Sequence, residues 1–398
     1  ASRKKEATRG DMTRDGKTIF GLAQGYFAIF GFSNVYYLLG VYLAMLHMAS
    51  PVQIGWVMGS FYAAQTVCRP FAGNVVVRLG FRRAFVAGSL LCLAASAAFA
   101  LTGPSFAWLL FWRILMGAGS SLYVIALTTY QTIGIPDSIR GSAFSLISAG
   151  GIVPLVTFVP LADLFLQKGL TSAYAWFLPL ICLYALYCGL RLPHLEVPGD
   201  PQPGRGSGLA AVLGNPAIRT LLVSTTLFSM TDACLLAIGG VATSRGLLPS
   251  LFLTANASVG LLVRIGGRSI LDRLPRKLLA APAIALTSLC LFGASFTDGN
   301  WAYAGWGIAF GVAMGLGFPL HMALIGDVAE PARRPLVSSL SWFLMGACFF
   351  VVPILLGNLA ELMGSTAAFR LLTTILFASS FWVHFLWNPR HSLVRRPH

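Results

Sequence analysis

The sequence predicts an all-α membrane protein: twelve transmembrane helices in two six-helix bundles, with both termini in the cytoplasm. Three observations predict it. Of 398 residues, 56% are hydrophobic and 10% are charged. A soluble domain carries roughly 25% charged residues, so this chain has too few charges to coat a water-facing surface, and lipid must be the solvent for most of it. Apolar runs of about 20 residues, the length that crosses about 30 Å of hydrocarbon, recur along the whole chain. Finally, the second half repeats the first.

Taken in order, the apolar runs give spans at 18–46, 52–77, 84–102, 105–131, 141–166 and 172–191, then at 217–243, 249–271, 278–296, 301–326, 336–363 and 365–388. In lipid each span must satisfy its own backbone hydrogen bonds, so every span is a helix. The polar segment 1–17 reads as a cytoplasmic tail rather than a signal peptide, and 389–398 as a second tail. The outer loops, such as Gly103-Pro104 and Thr297 to Asn300, are short and force neighbouring spans to run antiparallel. Segment 192–216 is dominated by Pro and Gly. It cannot bury a core and reads as a cytoplasmic linker, with a short surface helix at Leu209 to Leu213. The bundles are therefore 18–191 and 217–388.

A net charge of +15 can mark a nucleic-acid binder, and its distribution decides otherwise. With the N-terminus in the cytoplasm, nearly all Lys and Arg fall in cytoplasmic segments. The outer loops hold only Lys168 and Arg245, with Arg370 at a span edge. This is the positive-inside pattern, so the basic excess sets topology and no nucleic-acid partner is expected. All seven Cys lie in apolar runs, without a CxxC or a Cys/His cluster, so neither disulfides nor a metal site is expected. No Gly-rich phosphate loop, HExxH or Ser/His/Asp signature is present. Neither a cofactor nor enzymatic activity is expected.

The repeat is centred on a basic stretch after span 2. It runs from Arg69-Pro70-Phe71-Ala72-Gly73 through Arg78-Leu79-Gly80-Phe81-Arg82-Arg83. Arg264, Arg273, Arg276 and Lys277 echo it after span 8, with Arg69 and Arg78 falling on Arg264 and Arg273. Gly117-Ala118-Gly119 aligns with Gly315-Leu316-Gly317, and Val153-Pro154 with Val352-Pro353. A parallel repeat of six spans joined by a cytoplasmic linker is a transporter architecture, with its substrate site near the bilayer midplane.

These residues resemble the major facilitator superfamily, whose loop signature between spans 2 and 3 runs G-x-x-x-D-R-x-G-R-R. Gly73, Arg78, Gly80, Arg82 and Arg83 match it, and Val77 stands where the family has Asp. The second copy keeps Asp272 and Arg273 but has Arg268 and Pro275 at the glycine positions. Arg113-Ile114-Leu115-Met116-Gly117-Ala118-Gly119 is similar to the span-4 motif R-x-x-x-G-x-G of the twelve-helix drug:proton antiporter branch. That branch's span-5 motif, G-P-x-x-G-G, is only hinted at by Val153-Pro154 and Val159-Pro160. The resemblance implies a monomeric secondary transporter of the plasma (cytoplasmic or inner) membrane, working by alternating access. Export of a small amphipathic organic molecule by proton antiport is the first expectation. Proton-coupled uptake of an organic anion is the second, and a receptor or scaffold without transport is the third.

Charged groups within spans are costly and are functional candidates by default. Asp232, in the middle of span 7, is the expected proton carrier, because a carboxyl taken out of water holds its proton more firmly. Its plainer reading is a structural partner for a facing Ser, Thr or Arg. His321 in span 10 is a second proton-coupling candidate, with an unperturbed pKa of about 6.5, although a lone His in a span is as readily a hydrogen-bonded packing residue. The resemblance associates Arg113 with proton coupling. Its plainer reading is a strut to a neighbouring backbone, and a substrate anion clamp is the third. Arg69 and Arg264, being repeat mates, read as structural, with an anion-attracting vestibule as the alternative. Asn34, Tyr37, Gln65, Arg113, Tyr123, Asp232, Asn256 and Trp342 are the candidate substrate contacts, each individually readable as packing. Gly73, Arg78, Gly80, Arg82, Arg83, Asp272 and Arg273 are the candidate cytoplasmic gate, against a plainer reading as topogenic charge.

Overall fold

A computed structural model describes residues 2–46, 50–135, 140–193, 195, 209–266, 275–330 and 333–388. Every regular element among the described residues is helical. The first half holds α1 (Ser2–Asn34), a 3₁₀ turn (Val35–Leu38), α2 (Leu39–Met45), α3 (Pro51–Leu79), α4 (Phe81–Leu101), α5 (Phe106–Gly134), α6 (Arg140–Gly150), α7 (Pro154–Gln167) and α8 (Thr171–Arg191). The second holds α9 (Leu209–Gly214), α10 (Pro216–Ala233), α11 (Leu235–Thr243), α12 (Pro249–Gly266), α13 (Arg276–Ala294), α14 (Asn300–Val328), α15 (Arg334–Met363) and α16 (Ser365–Trp387). The segment read as an N-terminal tail continues α1 from Ser2.

Among the described residues, 10 helical stretches are long and apolar enough to cross a membrane. They correspond to all the expected spans except the second and eighth. Gln53, Gln65, Arg69 and Asn74 dilute the apolar character of α3, and α12 is described over 18 residues only. Large apolar side chains face outward, with Trp301 90% and Leu362 82% exposed, as a lipid-facing surface allows.

Local chemistry explains the boundaries. Pro begins α3, α7, α10 and α12, where its missing N–H and fixed φ are tolerated. Asn215 caps α10, its Oδ1 accepting from the backbone N–H of Ala217 at 2.9 Å and of Ile218 at 3.4 Å. Gly80 at φ 78° separates α3 from α4, and Gly364 at φ 85° separates α15 from α16. Each turn is a single residue in a region that side chains rarely occupy.

Three expected spans are interrupted. Span 1 passes through the 3₁₀ turn after Asn34, and span 7 breaks at Cys234, directly after Asp232 and Ala233. Span 5 breaks at Gly151 to Val153, where Pro154 lacks the N–H that a continuous helix needs. Interrupted spans free backbone polar groups at membrane depth, which proteins tolerate where those groups are buried in protein or line a cavity.

The chain divides into two compact units, Ala1–Tyr36 with Ser60–Pro201, and Tyr37–Gly59 with Gln202–His398. The first unit centres on Leu22, Phe81, Phe85, Tyr123, Leu127, Tyr130 and Ile147. The second takes in segment 37–59 because the α3 backbone packs closely on α15. A side chain at Gly55 would collide with the Pro353 carbonyl, and one at Gly357 would lie 2.6 Å from the Pro51 carbonyl. Such close approach between spans requires small residues.

Candidate transport site

In the first unit, Arg113 of α5 is completely buried. Its Cζ lies 3.7 Å from the ring centroid of Tyr36 and 4.7 Å from that of Phe61. The Tyr36 hydroxyl donates to Met116 Sδ at 2.8 Å. Aromatic faces hold a desolvated guanidinium by the attraction between cation and ring quadrupole. Arg113, read from the sequence as a proton-coupling residue, an anion clamp or a strut, is thus enclosed among side chains of its own unit.

The remaining first-unit candidates are satisfied by neighbouring helices. Asn34 donates to the Gly151 carbonyl at 3.3 Å. Gln65 donates to Ser120 Oγ at 3.1 Å and accepts from Arg69 at 3.2 Å. Tyr123 is fully buried in the core and donates to the Ala185 carbonyl at 3.0 Å. Polar side chains inside a bundle are expected to find such partners.

The loop signature lines a cavity of about 520 Å³ with Val77, Gly80, Arg82, Arg83, Tyr130 and Leu192. Gly80 supplies the positive-φ turn before α4, while Arg78, Arg82 and Arg83 are exposed. No side chain closes within 4 Å of where a Cβ on Gly73 would stand. Asp272 and Arg273, the second-copy members of the expected gate, lie outside the described residues, as does Arg268.

In the second unit, His321 of α14 is 1% exposed and stacks on Phe228 at 4.6 Å between centroids. Its Nδ1 lies 2.8 Å from the Gly317 carbonyl, and its Nε2 lies 2.8 Å from Ser224 Oγ. A carbonyl only accepts, so Nδ1 carries a proton, while the Ser224 hydroxyl, which can donate or accept, bonds Nε2. Asn256 of α12 is 6% exposed, against the close-packed Gly311. Tyr37 is 8% exposed.

Asp232 is different. It is the penultimate residue of α10, at the break in span 7, and is half-buried, and its carboxylate has neither a hydrogen bond nor an ion-pair contact among the described residues. Among the described residues, the charge coupled to it is that of Arg264 on α12. The Arg264 Cζ lies 5.2 Å from the centroid of Phe318, and its Nε is buried without a hydrogen-bond partner. Phe318 in turn meets the ring of Trp342 of α15 edge-on at 6.0 Å, and Trp342 is 44% exposed. An acid, a guanidinium and two aromatic rings are therefore assembled in one unit. Sequence reasoning singled out Asp232 and Trp342, assigned Arg264 to structure, and missed Phe318. The signal lay in the repeat: Gly260 and Phe318 stand where Gln65 and Ser120 hold Arg69 in the first copy.

A multi-span helical protein with interrupted spans and a half-buried carboxylate within one of them has the architecture of membrane transport proteins. Residues 24–310 match the family model of the Major Facilitator Superfamily. The chain belongs to that superfamily and is a secondary transporter. Its fold is similar to several solved structures. The nucleoside transporter NupG (D323A mutant) superposes with a TM-score of 0.73 at 13% identity, covering 92% of this chain and 98% of that one. A POT family transporter in complex with 5-aminolevulinic acid gives 0.73 at 15% identity, covering 94% and 96%. The human organic anion transporter MFSD10 (TETRAN) gives 0.64 at 15%, covering 94% and 99%. No curated protein matches the chain by sequence.

Proposed function

We propose that the protein is a proton-coupled secondary transporter that moves a small organic anion and a proton together, in the direction of uptake. What supports this reading is a carboxylate, Asp232, and a guanidinium, Arg264, that lie within spans of one unit and are electrostatically coupled without an ion-pair contact. Ionised Asp232 offsets the charge of Arg264. Protonated Asp232 leaves that charge available to an anion, so proton and anion bind together and cross together. Antiport would instead require the two to exclude one another.

In this reading the spans form two six-helix bundles, 18–191 and 217–388, joined by a cytoplasmic linker. The termini are cytoplasmic, the membrane is the plasma (inner) membrane, and a monomer is sufficient. The concentration of Lys and Arg in segments 1–17, 78–83 and 268–277 supports that sidedness. Export of an amphipathic molecule by proton antiport is the second reading, favoured by the resemblance of Arg113, Gly117 and Gly119 to the antiporter motif.

The test uses proteoliposomes of the full chain, a pH-sensitive lumenal dye and benzoate, lactate and succinate as probes. An imposed acid-outside gradient drives labelled probe inward against its own gradient, and probe entry acidifies the lumen beyond the leak of protein-free vesicles. Asp232→Asn removes the drive. Lumenal alkalinisation on probe entry establishes antiport instead, and full pH-driven uptake by the Asn variant refutes Asp232 as the carrier.

A further inference from the structure

The two halves treat one pair of positions in opposite ways. In the first half, span 1 breaks at Asn34 and span 2 carries Arg69. Asn34 is bonded to the Gly151 carbonyl at 3.3 Å, and Arg69 is bonded to Gln65 at 3.2 Å. Gln65 is itself held by Ser120 at 3.1 Å. The set is an uncharged amide and an anchored guanidinium.

In the second half, span 7 breaks just after Asp232, and span 8 carries Arg264. Gly260 replaces Gln65 one turn before the Arg, and Phe318 replaces Ser120 on the facing helix. The hydrogen-bonding scaffold is gone from both sides. Arg264 lies over the Phe318 ring instead, with a buried Nε that bonds nothing among the described residues. A desolvated guanidinium donor left unmade is costly. It persists where a further group completes it, and a planar guanidinium is best completed by a carboxylate.

We propose that Arg264 is the substrate-carboxylate ligand of this transporter, that Phe318 and Trp342 pack against the apolar body of the same molecule, and that Asp232 gates Arg264 by competing for it. The proposal rests on the proton-coupled reading above and adds to it the chemical class of the substrate, an amphipathic carboxylate. Phe318 and Trp342 meet edge-on beside the guanidinium, so they offer an apolar wall next to the anion site. Trp342 is 44% exposed.

The surroundings leave Asp232 and Arg264 as the responsive pair. Of the helices packed on α10, α15 brings the Cys348 thiol, which donates to the Thr226 carbonyl at 3.4 Å. Helix α14 brings His321, already bonded on both ring nitrogens. Cys234 follows on the same span and is buried. The charges of α13 and α16 are committed near helix ends, Arg276 to Asp327 at 3.0 Å and Arg370 to the Ser295 carbonyl at 2.7 Å. Lys277 lies in the first turn of α13 and His384 in the last turn of α16. Helices α9 and α11 carry no titratable side chain.

The experiment measures binding of benzoate, 3-phenylpropionate, benzamide and benzylamine to the purified full chain by calorimetry, at mildly acidic and mildly alkaline pH. At least one carboxylate binds, the amide and the amine do not, and acid strengthens binding. Arg264→Gln weakens it by about tenfold to a hundredfold, the range of one charge-assisted hydrogen-bond pair. Arg264→Lys, which keeps the charge but not the planar fork, falls between. Asp232→Asn holds the strong form at both pH values, and Arg69→Gln, in the scaffolded repeat mate, leaves affinity unchanged. A ligand-free melting curve for each variant confirms folding. The proposal is overturned if neither carboxylate binds, if benzamide binds as well as benzoate, or if folded Arg264→Lys and Arg264→Gln both bind like the parent. Arg264-dependent binding without pH-driven flux sinks the coupling reading and keeps the site. Flux that needs Asp232 but is indifferent to Arg264 does the reverse.

Discussion

The guanidinium carbon of Arg113 sits 3.7 Å above the ring of Tyr36. This enclosure makes Arg113 a bearing point of the first unit. Replacing it by Gln removes a desolvated cation–π contact worth about 2 kcal/mol, and Lys restores only part because an ammonium is a compact charge without a plane to stack. Both variants should melt several degrees below the parent in detergent, with Gln the lower. The affinity for carboxylates should be unchanged in whatever fraction remains folded. An Arg113→Gln protein that melts like the parent but no longer binds benzoate would identify Arg113 as an anion clamp after all.

Ser224 and Gly317 fix His321 from both sides. With both nitrogens engaged and the ring stacked on Phe228, His321 reads as a packing residue. His321→Gln, which can donate and accept in similar directions, should keep its pH-driven uptake within about twofold, whereas Asp232→Asn loses it. Ser224→Ala leaves Nε2 buried without its partner and should cost about 1–3 kcal/mol in stability. If pH-driven uptake by His321→Gln collapses while the protein remains folded, the ring belongs to the proton path.

Val77 lines the same cavity as Arg82 and Arg83 at the start of α4, where the superfamily signature has an acid. No side chain caps α4, whose N-cap is Gly80. Val77→Asp places a negative charge near that helix N-terminus and its two cations, an arrangement worth about 0.3–1 kcal/mol at low ionic strength. The melting temperature should rise by a degree or more in low salt, and the gain should fade in high salt as screening grows. A rise that persists in high salt would show that packing, not charge, had changed.

Much of the fold was legible because lipid imposes few solutions. Scarce charge and apolar runs of spanning length mark ten of the twelve expected spans among the described residues, and the Gly73 to Arg83 signature points to the superfamily. Asp232 stood out for the same reason, since a carboxyl is conspicuous in a span. The breaks after Asn34 and Asp232 were not visible, since neither is marked by Pro or by a change in hydropathy, whereas Pro154 did mark the break in span 5.

The sequence by itself determined the membrane class and the superfamily, since these follow from hydropathy and short-range spacing. The tertiary structure decided which buried polar groups are already satisfied. Arg69, Arg113 and Arg264 look alike along the chain, yet one is bonded to Gln65, one is caged by Tyr36 and Phe61, and one lies over Phe318 with an Nε that bonds nothing among the described residues. Satisfaction of a buried hydrogen bond depends on what neighbouring helices present to it. That is fixed by packing between residues distant in sequence, and so it can be read only once the chain has folded.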